Sequence, residues 1–134
     1  MLESILADLE KHLEIPAVKG KNESEGYYLL QINESMEVWV KDLNPGIFLQ
    51  TIIAPIIRTS DQEDFFIYLM KANFLGQGTG GGVLSIDPEE KYIYLSLCLS
   101  YEVNYKTFRD KLEDFINYLD FWRKKLKNLE DQNK

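Results

Sequence analysis

The stretch "NFLGQGTGGGV", residues 73–83, holds five glycines in eleven positions, with Gly76, Gly78 and Gly81 on the spacing G-x-G-x-x-G. Its flanks decide the reading. A dinucleotide-binding loop of that spacing follows a strand and opens a helix, so that the pyrophosphate meets the helix N-terminus. Here a helical pattern precedes Gly76 and a strand pattern follows Gly82. Amides near Gly76 then sit at a helix C-terminus, whose dipole repels anions. No Lys-Ser/Thr pair follows the glycines, so a Walker loop fails as well. The sequence therefore predicts a flexible helix-to-strand connection, with Gly76 as left-handed cap, and no nucleotide.

Upstream, Ser60-Asp61-Gln62-Glu63 reads as a capping box with Ser60 as N-cap, opening a helix over 61–75. Phe65, Phe66, Leu69, Met70, Ala72 and Phe74 make it apolar around most of its circumference. Such a helix needs cover on more than one side. Further upstream, 47–54, 36–41 and 27–32 read as strands, joined by turns at Asn44-Pro45-Gly46 and Asn33-Glu34-Ser35. Met36, Val38 and Val40 share one face of their strand; Glu37, Trp39 and Lys41 share the other. Residues 19–26 are polar and loop-like. Leu2, Ile5, Leu6, Leu9 and Leu13 form one stripe of a helix over 2–14, which Pro16 stops.

Downstream, 83–86 is a short strand, 87–90 a turn, and 91–100 a long strand alternating Ile93, Leu95, Leu97 and Leu99 with polar or smaller residues. Asn104 caps a final helix whose heptad stripe is Tyr105, Phe108, Leu112, Phe115, Leu119, Trp122, Leu126 and Leu129. About 25 such residues span roughly 38 Å, enough for the tail to project. The order α-β-β-β-α-β-β-α gives an α+β class: a twisted antiparallel sheet flanked by helices. A single domain over 1–134 is expected, with 129–134 as a frayed tail.

The 134 residues carry a net charge of −7, with 45% hydrophobic and 28% charged side chains. The acidic balance of the first 100 residues disfavours direct nucleic-acid binding. No apolar run reaches the roughly 18 residues of a membrane helix. The start, MLESILADLEKHLE, lacks the basic region of a signal peptide. One cysteine, Cys98, excludes an intrachain disulfide, and a cytoplasmic location follows as the expectation. His12 is the one histidine; with a single Cys and a single His, neither a metal site of the Cys/His type nor a Ser-His-Asp triad is expected. The carboxylate pairs Asp61/Asp64 and Glu113/Asp114 fall at a helix start or on an exposed face. The sequence points to no enzyme, no cofactor and no metal.

Residues 68–87, "YLMKANFLGQGTGGGVLSID", resemble the signature of the class I type III secretion chaperones, the Tir-chaperone-like family. In that family the middle helix ends in a similar "ANLxGQGTGGxxLxxD" stretch. The element order agrees over nearly the whole chain. The resemblance implies a bacterial cytoplasmic dimer without ATPase activity. Such a dimer binds the N-terminal segment of a secreted effector or secretion-control protein, keeps it secretion-competent and delivers it to the export apparatus. It implies a dimer interface on the middle helix and neighbouring strand: Phe65, Phe66, Leu69, Met70, Phe74, Leu95 and Leu97. It implies cargo contacts on the first helix and sheet: Leu2, Ile5, Leu6, Leu9 and Leu13, with Tyr28, Leu30 and Ile32 or the alternate strand face. The long, basic-ended final helix departs from the pattern and leaves homodimer and heterodimer open. A regulatory adaptor, binding a transcription or secretion regulator through that helix, is the alternative. No membrane insertion is expected in either case.

Overall fold

A computed structural model describes residues 2–15, 17–19 and 27–132. The elements are α1 (Leu2–Leu13), β1 (Ala17–Lys19), β2 (Tyr27–Asn33), β3 (Met36–Asp42), β4 (Ile47–Pro55), α2 (Gln62–Ala72), a 3-10 turn (Phe74–Gly76), β5 (Val83–Ile86), β6 (Tyr92–Leu99) and α3 (Tyr105–Gln132). The fold is α+β, as the patterning predicts. The sheet order is β1-β2-β3-β4-β6-β5. β1 is an addition: three residues are too few to show a period of two. The expected stop at Pro16 and most of the loop over 19–26 lie outside the described residues.

Two compact units make up the chain: residues 1–51 with 97–113, and residues 52–96 with 114–134. In the first unit, β2 pairs antiparallel with β3 (Leu29 opposite Trp39), and β3 with β4 (Val40 opposite Leu49). The register shifts between Gln31 and Asn33, a bulge beside the turn, where the Asn33 carboxamide oxygen accepts from the Ser35 amide at 2.9 Å. The alternation in β3 is as expected: Met36, Val38 and Val40 are buried, while Glu37 is exposed and Trp39 and Lys41 half-buried. The unit's core joins these to Leu30, Ile47, Leu49, Leu99, Val103, Phe108 and Leu112, and to α1. α1 ends where Glu14 turns left-handed, φ 55°, while its amide still reaches the Glu10 carbonyl at 3.0 Å.

In the second unit, β5 and β6 pair antiparallel, Leu84 opposite Leu95 and Ile86 opposite Ile93. Ile53, Ile57, Phe65, Leu69, Leu84, Ile93, Leu95, Phe115, Leu119, Trp122 and Leu126 are its buried apolar side chains. The heptad stripe is thus spent inside the protein: from Phe108 to Leu126 each member is at most 4% exposed. Asn104 caps α3 as predicted, accepting from the Thr107 amide at 2.8 Å. Residues 129–132 continue the helix, and at 1.5 Å per residue its 28 residues run about 42 Å.

The start of α2 corrects the capping box. Asp61, not Ser60, is the N-cap, its carboxylate accepting from the Asp64 amide at 3.1 Å. Gln62, not Glu63, reaches back, accepting from the Thr59 amide at 3.0 Å and donating to the Ile57 carbonyl at 3.0 Å. The whole signal is shifted one residue, because a carboxylate is as good a cap as a hydroxyl and both occur side by side. α2 is also shorter than predicted, stopping at Ala72 before the 3-10 turn.

Candidate protein-binding surfaces

On α1, Leu2, Ile5, Leu6 and Leu9 are buried at 0–4% exposure, so none of them offers a surface. A helix of three turns with a single apolar stripe gives the first four residues of that stripe to its own core. Leu13, the last of the stripe, stands 47% exposed. Leu30 is buried, and Tyr28 and Ile32 are half-buried. Tyr28 holds α1 to β2 by donating to the Glu3 carboxylate at 3.1 Å. Burial first, then the bond to Glu3, pushes its hydroxyl above the ordinary tyrosine range. The alternate face of the same strands carries Tyr27 and Leu29 of β2, Trp39 and Lys41 of β3 and Phe48 of β4, all half-buried. Trp39 stands opposite Leu29, and Lys41 opposite both Tyr27 and Phe48. The Lys41 ammonium sits 5.0 Å above the Tyr27 ring, a cation–π contact that leaves the aromatic surface in place.

α2 divides its apolar residues between two sides. Phe65 and Leu69 are buried, Phe66 is half-buried, and Ile67 (41%), Met70 (71%) and Phe74 (66%) are exposed. Leu75, 80% exposed, is thrown outward by a left-handed backbone, φ 54°. On β5, Val83 is 52% exposed. Leu95 and Leu97, expected beside this helix at an interface, are buried at 0% and 9%. They alternate toward the core with Ile93 and Leu99. Leu75 and Val83 escaped the sequence reading: Leu75 is turned outward by its left-handed backbone, and Val83 by its alternation with the buried Leu84 along β5.

The glycine stretch is a specified structure rather than a flexible connection. Its first turn folds back on α2: the Gly78 amide donates to the Ala72 carbonyl at 3.0 Å and the Gly76 amide to the Asn73 carbonyl at 2.9 Å. Gly76 is left-handed, φ 70°, but it is not the cap of α2 that the sequence reading made it: α2 ends at Ala72 with Asn73 as C-cap, and the 3-10 turn stands between. A Cβ on Gly78 would stand 2.9 Å from the Ala72 carbonyl oxygen. Gly80 has φ +64°, and a Cβ there would run into the ring of Tyr118 on α3. The Trp122 indole donates to the Gly78 carbonyl at 2.8 Å.

Two polar side chains of this turn grip β5 and the residue just before it. The Asn73 carboxamide donates to the Leu84 carbonyl at 2.9 Å and accepts from the Leu84 amide at 2.7 Å. The Thr79 hydroxyl, in a residue 4% exposed, donates to the Gly82 carbonyl at 2.6 Å, while the Gly82 amide donates to the Thr79 carbonyl at 3.2 Å. These bonds explain why an Asn and a Thr stand among glycines. No signal short of the fold shows that they meet one strand.

No helix among the described residues is long and apolar enough to cross a membrane. Nor is there a cluster of three or more His, Cys, Asp or Glu able to hold a metal ion among them. Asp61 and Asp64, one of the two carboxylate pairs read from the sequence, meet at the start of α2. Asp64 is pushed up by hydrogen bonding to Asp61 and by its charge, and both serve the start of α2.

Residues 4–123 match the Tir chaperone protein (CesT) family. The chain belongs to that family. The match runs from α1 through most of α3 and takes in the glycine turn and both surfaces. A protein of Chlamydia pneumoniae, whose name states no activity, is 24% identical over 123 residues, 91% of this chain and 93% of that protein. Membership in a chaperone family agrees with surfaces built of exposed apolar side chains, the means by which a protein holds another chain.

Proposed function

We propose that this chain is a type III secretion chaperone. In the bacterial cytoplasm it binds the N-terminal segment of an exported effector or secretion-control protein, keeps it secretion-competent and delivers it to the export apparatus. The family match across residues 4–123 carries this reading. The chaperone acts by binding alone, without a cofactor or a catalysed reaction.

Assembly is part of the proposal. Ile67, Met70, Phe74, Leu75 and Val83 expose apolar area within one unit, and a second copy or a related chaperone covers them. Each such side chain fully buried contributes about 1.5–3 kcal/mol. Phe66 sits at the rim of this face, while Phe65, Leu69 and Leu95 are buried within the same unit; Leu97, buried as well, belongs to the other unit and takes no part in this face. Cargo then falls to the open sheet face of Tyr27, Leu29, Trp39 and Phe48, where an extended segment exchanges its own exposed side chains for contact with them; Leu13 on α1, with Tyr28 and Ile32 from the opposite strand face, is the second cargo contact. The adaptor alternative loses its main motive, since the stripe on α3 that was to hold a regulator is buried.

The test is capture from the native bacterium followed by a secretion assay. The expected partner is an exported protein held through its N-terminal segment, whose export falls when the chaperone gene is deleted. Capture of a transcription regulator alone, with export unchanged, would overturn the reading.

A further inference from the structure

In an antiparallel pair, each residue directs both its N–H and its C=O either to its partner strand or away from it. Leu84 gives both groups to Asn73, so it faces away from β6, and so do the alternate residues Gly82 and Ile86. Gly82 in turn has its amide and carbonyl taken by Thr79. Leu84 inside β5 and Gly82 just before it are thus bonded as a neighbouring strand would bond them, which leaves Ile86 as the outward position of β5 without such a grip. After Ile86, the next outward position is Pro88, which has no N–H to offer.

We infer that Asn73 and Thr79 form a surrogate strand that closes the outer edge of β5 to strand addition. An open edge of paired amides and carbonyls is a template for any extended chain. The chaperone reading, which this inference extends, brings extended segments to the protein as its normal business. A closed β5 edge keeps cargo, or the β5 of a second copy, from zipping on at that side. The glycines serve this end by letting the turn wrap the end of α2 closely enough for both side chains to reach one strand. Asn suits the task as few residues do, since its carboxamide carries one acceptor and a donor group in the spacing of a peptide unit.

The test needs no cargo, so its failure is distinct from failure of the chaperone reading. Asn73→Ala with Thr79→Val removes both side-chain grips; Asn73→Ala alone removes the two bonds to Leu84 and leaves Thr79 in place, without putting a charge on the edge. Hydrogen exchange at Leu84 and sedimentation over a range of concentrations are compared with the wild-type chain. In the double variant, Leu84 exchange rises about tenfold, as for the loss of a hydrogen bond, and the mass grows with concentration beyond the wild-type value. Asn73→Ala alone shifts the mass in the same direction by less. Should the double variant not fold, Asn73→Ala decides alone by its mass. A folded variant of wild-type mass overturns the inference, whatever its exchange rate.

Discussion

Gly80 shows at a single residue how tightly the turn is determined. Its φ of +64° disfavours any Cβ, and the Tyr118 ring occupies the place of one. A left-handed backbone costs about 1–2 kcal/mol, and forced overpacking about 1–3 kcal/mol. Gly80→Ala is therefore expected to lower unfolding free energy by about 2–5 kcal/mol, read from the urea midpoint. In a Tyr118→Ala background the same change should cost about 1–3 kcal/mol less, because the steric part is gone. Additive costs would mean that the ring is no obstacle. Asp87 provides a second test at this scale. Its carboxylate accepts from the Tyr92 and Lys91 amides at 2.8 Å. The bond from Tyr92 does most to hold its pKa below the usual aspartate value. A depressed carboxyl stabilises the fold above its unfolded value, near 3.9, and that contribution is lost as pH falls through the folded value. Asp87→Ala should lower the melting temperature at neutral pH, and the gap to wild type should close below about pH 4.

For whole elements, the question is which side chains a helix keeps for its own core. The stripe of α1 has two conceivable duties, packing and cargo, and periodicity weighs them equally. Burial separates them. Ile5→Asp with Leu9→Asp is expected to abolish the cooperative thermal transition followed by circular dichroism, since two unpaired charges enter a dry core. A folded double mutant would return the stripe to the list of surfaces. The caps of α2 make a finer distinction. Ser60→Ala is expected to leave stability within about 0.5 kcal/mol of wild type. Asp61→Ala is expected to cost about 1 kcal/mol in chemical denaturation, the ordinary worth of an N-cap. The sequence shows that a helix begins near residue 61. Only the backbone geometry shows which of two competent caps sits at its first turn.

Across the whole molecule, the proposed assembly is what is tested. If the exposed side of α2 carries it, Met70→Asp with Phe74→Asp is expected to leave a monomer with the wild-type circular dichroism spectrum, because both side chains lie outside. Phe65→Asp or Leu69→Asp is expected to unfold it, because both lie inside. Light scattering with circular dichroism on the same samples separates the two classes. A wild-type chain that stays monomeric at micromolar concentration, alone and with a related chaperone, would remove the assembly from the proposal.

By itself the sequence determined the α+β class, six of the strand and helix patterns almost to the residue, and the rejection of a nucleotide loop. These follow from local physics: periods of 2 and 3.6, turn residues, and the order of helix and strand around the glycines. It also determined the family, because the Tyr68–Asp87 stretch is long and unusual in composition. Tertiary structure alone decided which apolar residues face outward. Leu9 and Leu13 lie on one stripe of α1, and Leu69 and Met70 are neighbours on the all-round apolar α2, yet burial divides each pair. Apolarity says that a side chain must be covered, but not by which part of the chain or by what partner. The glycine turn shows the same limit from the polar side. Asn73 and Leu84 are eleven residues apart, and their two hydrogen bonds exist only because the backbone folds back between them.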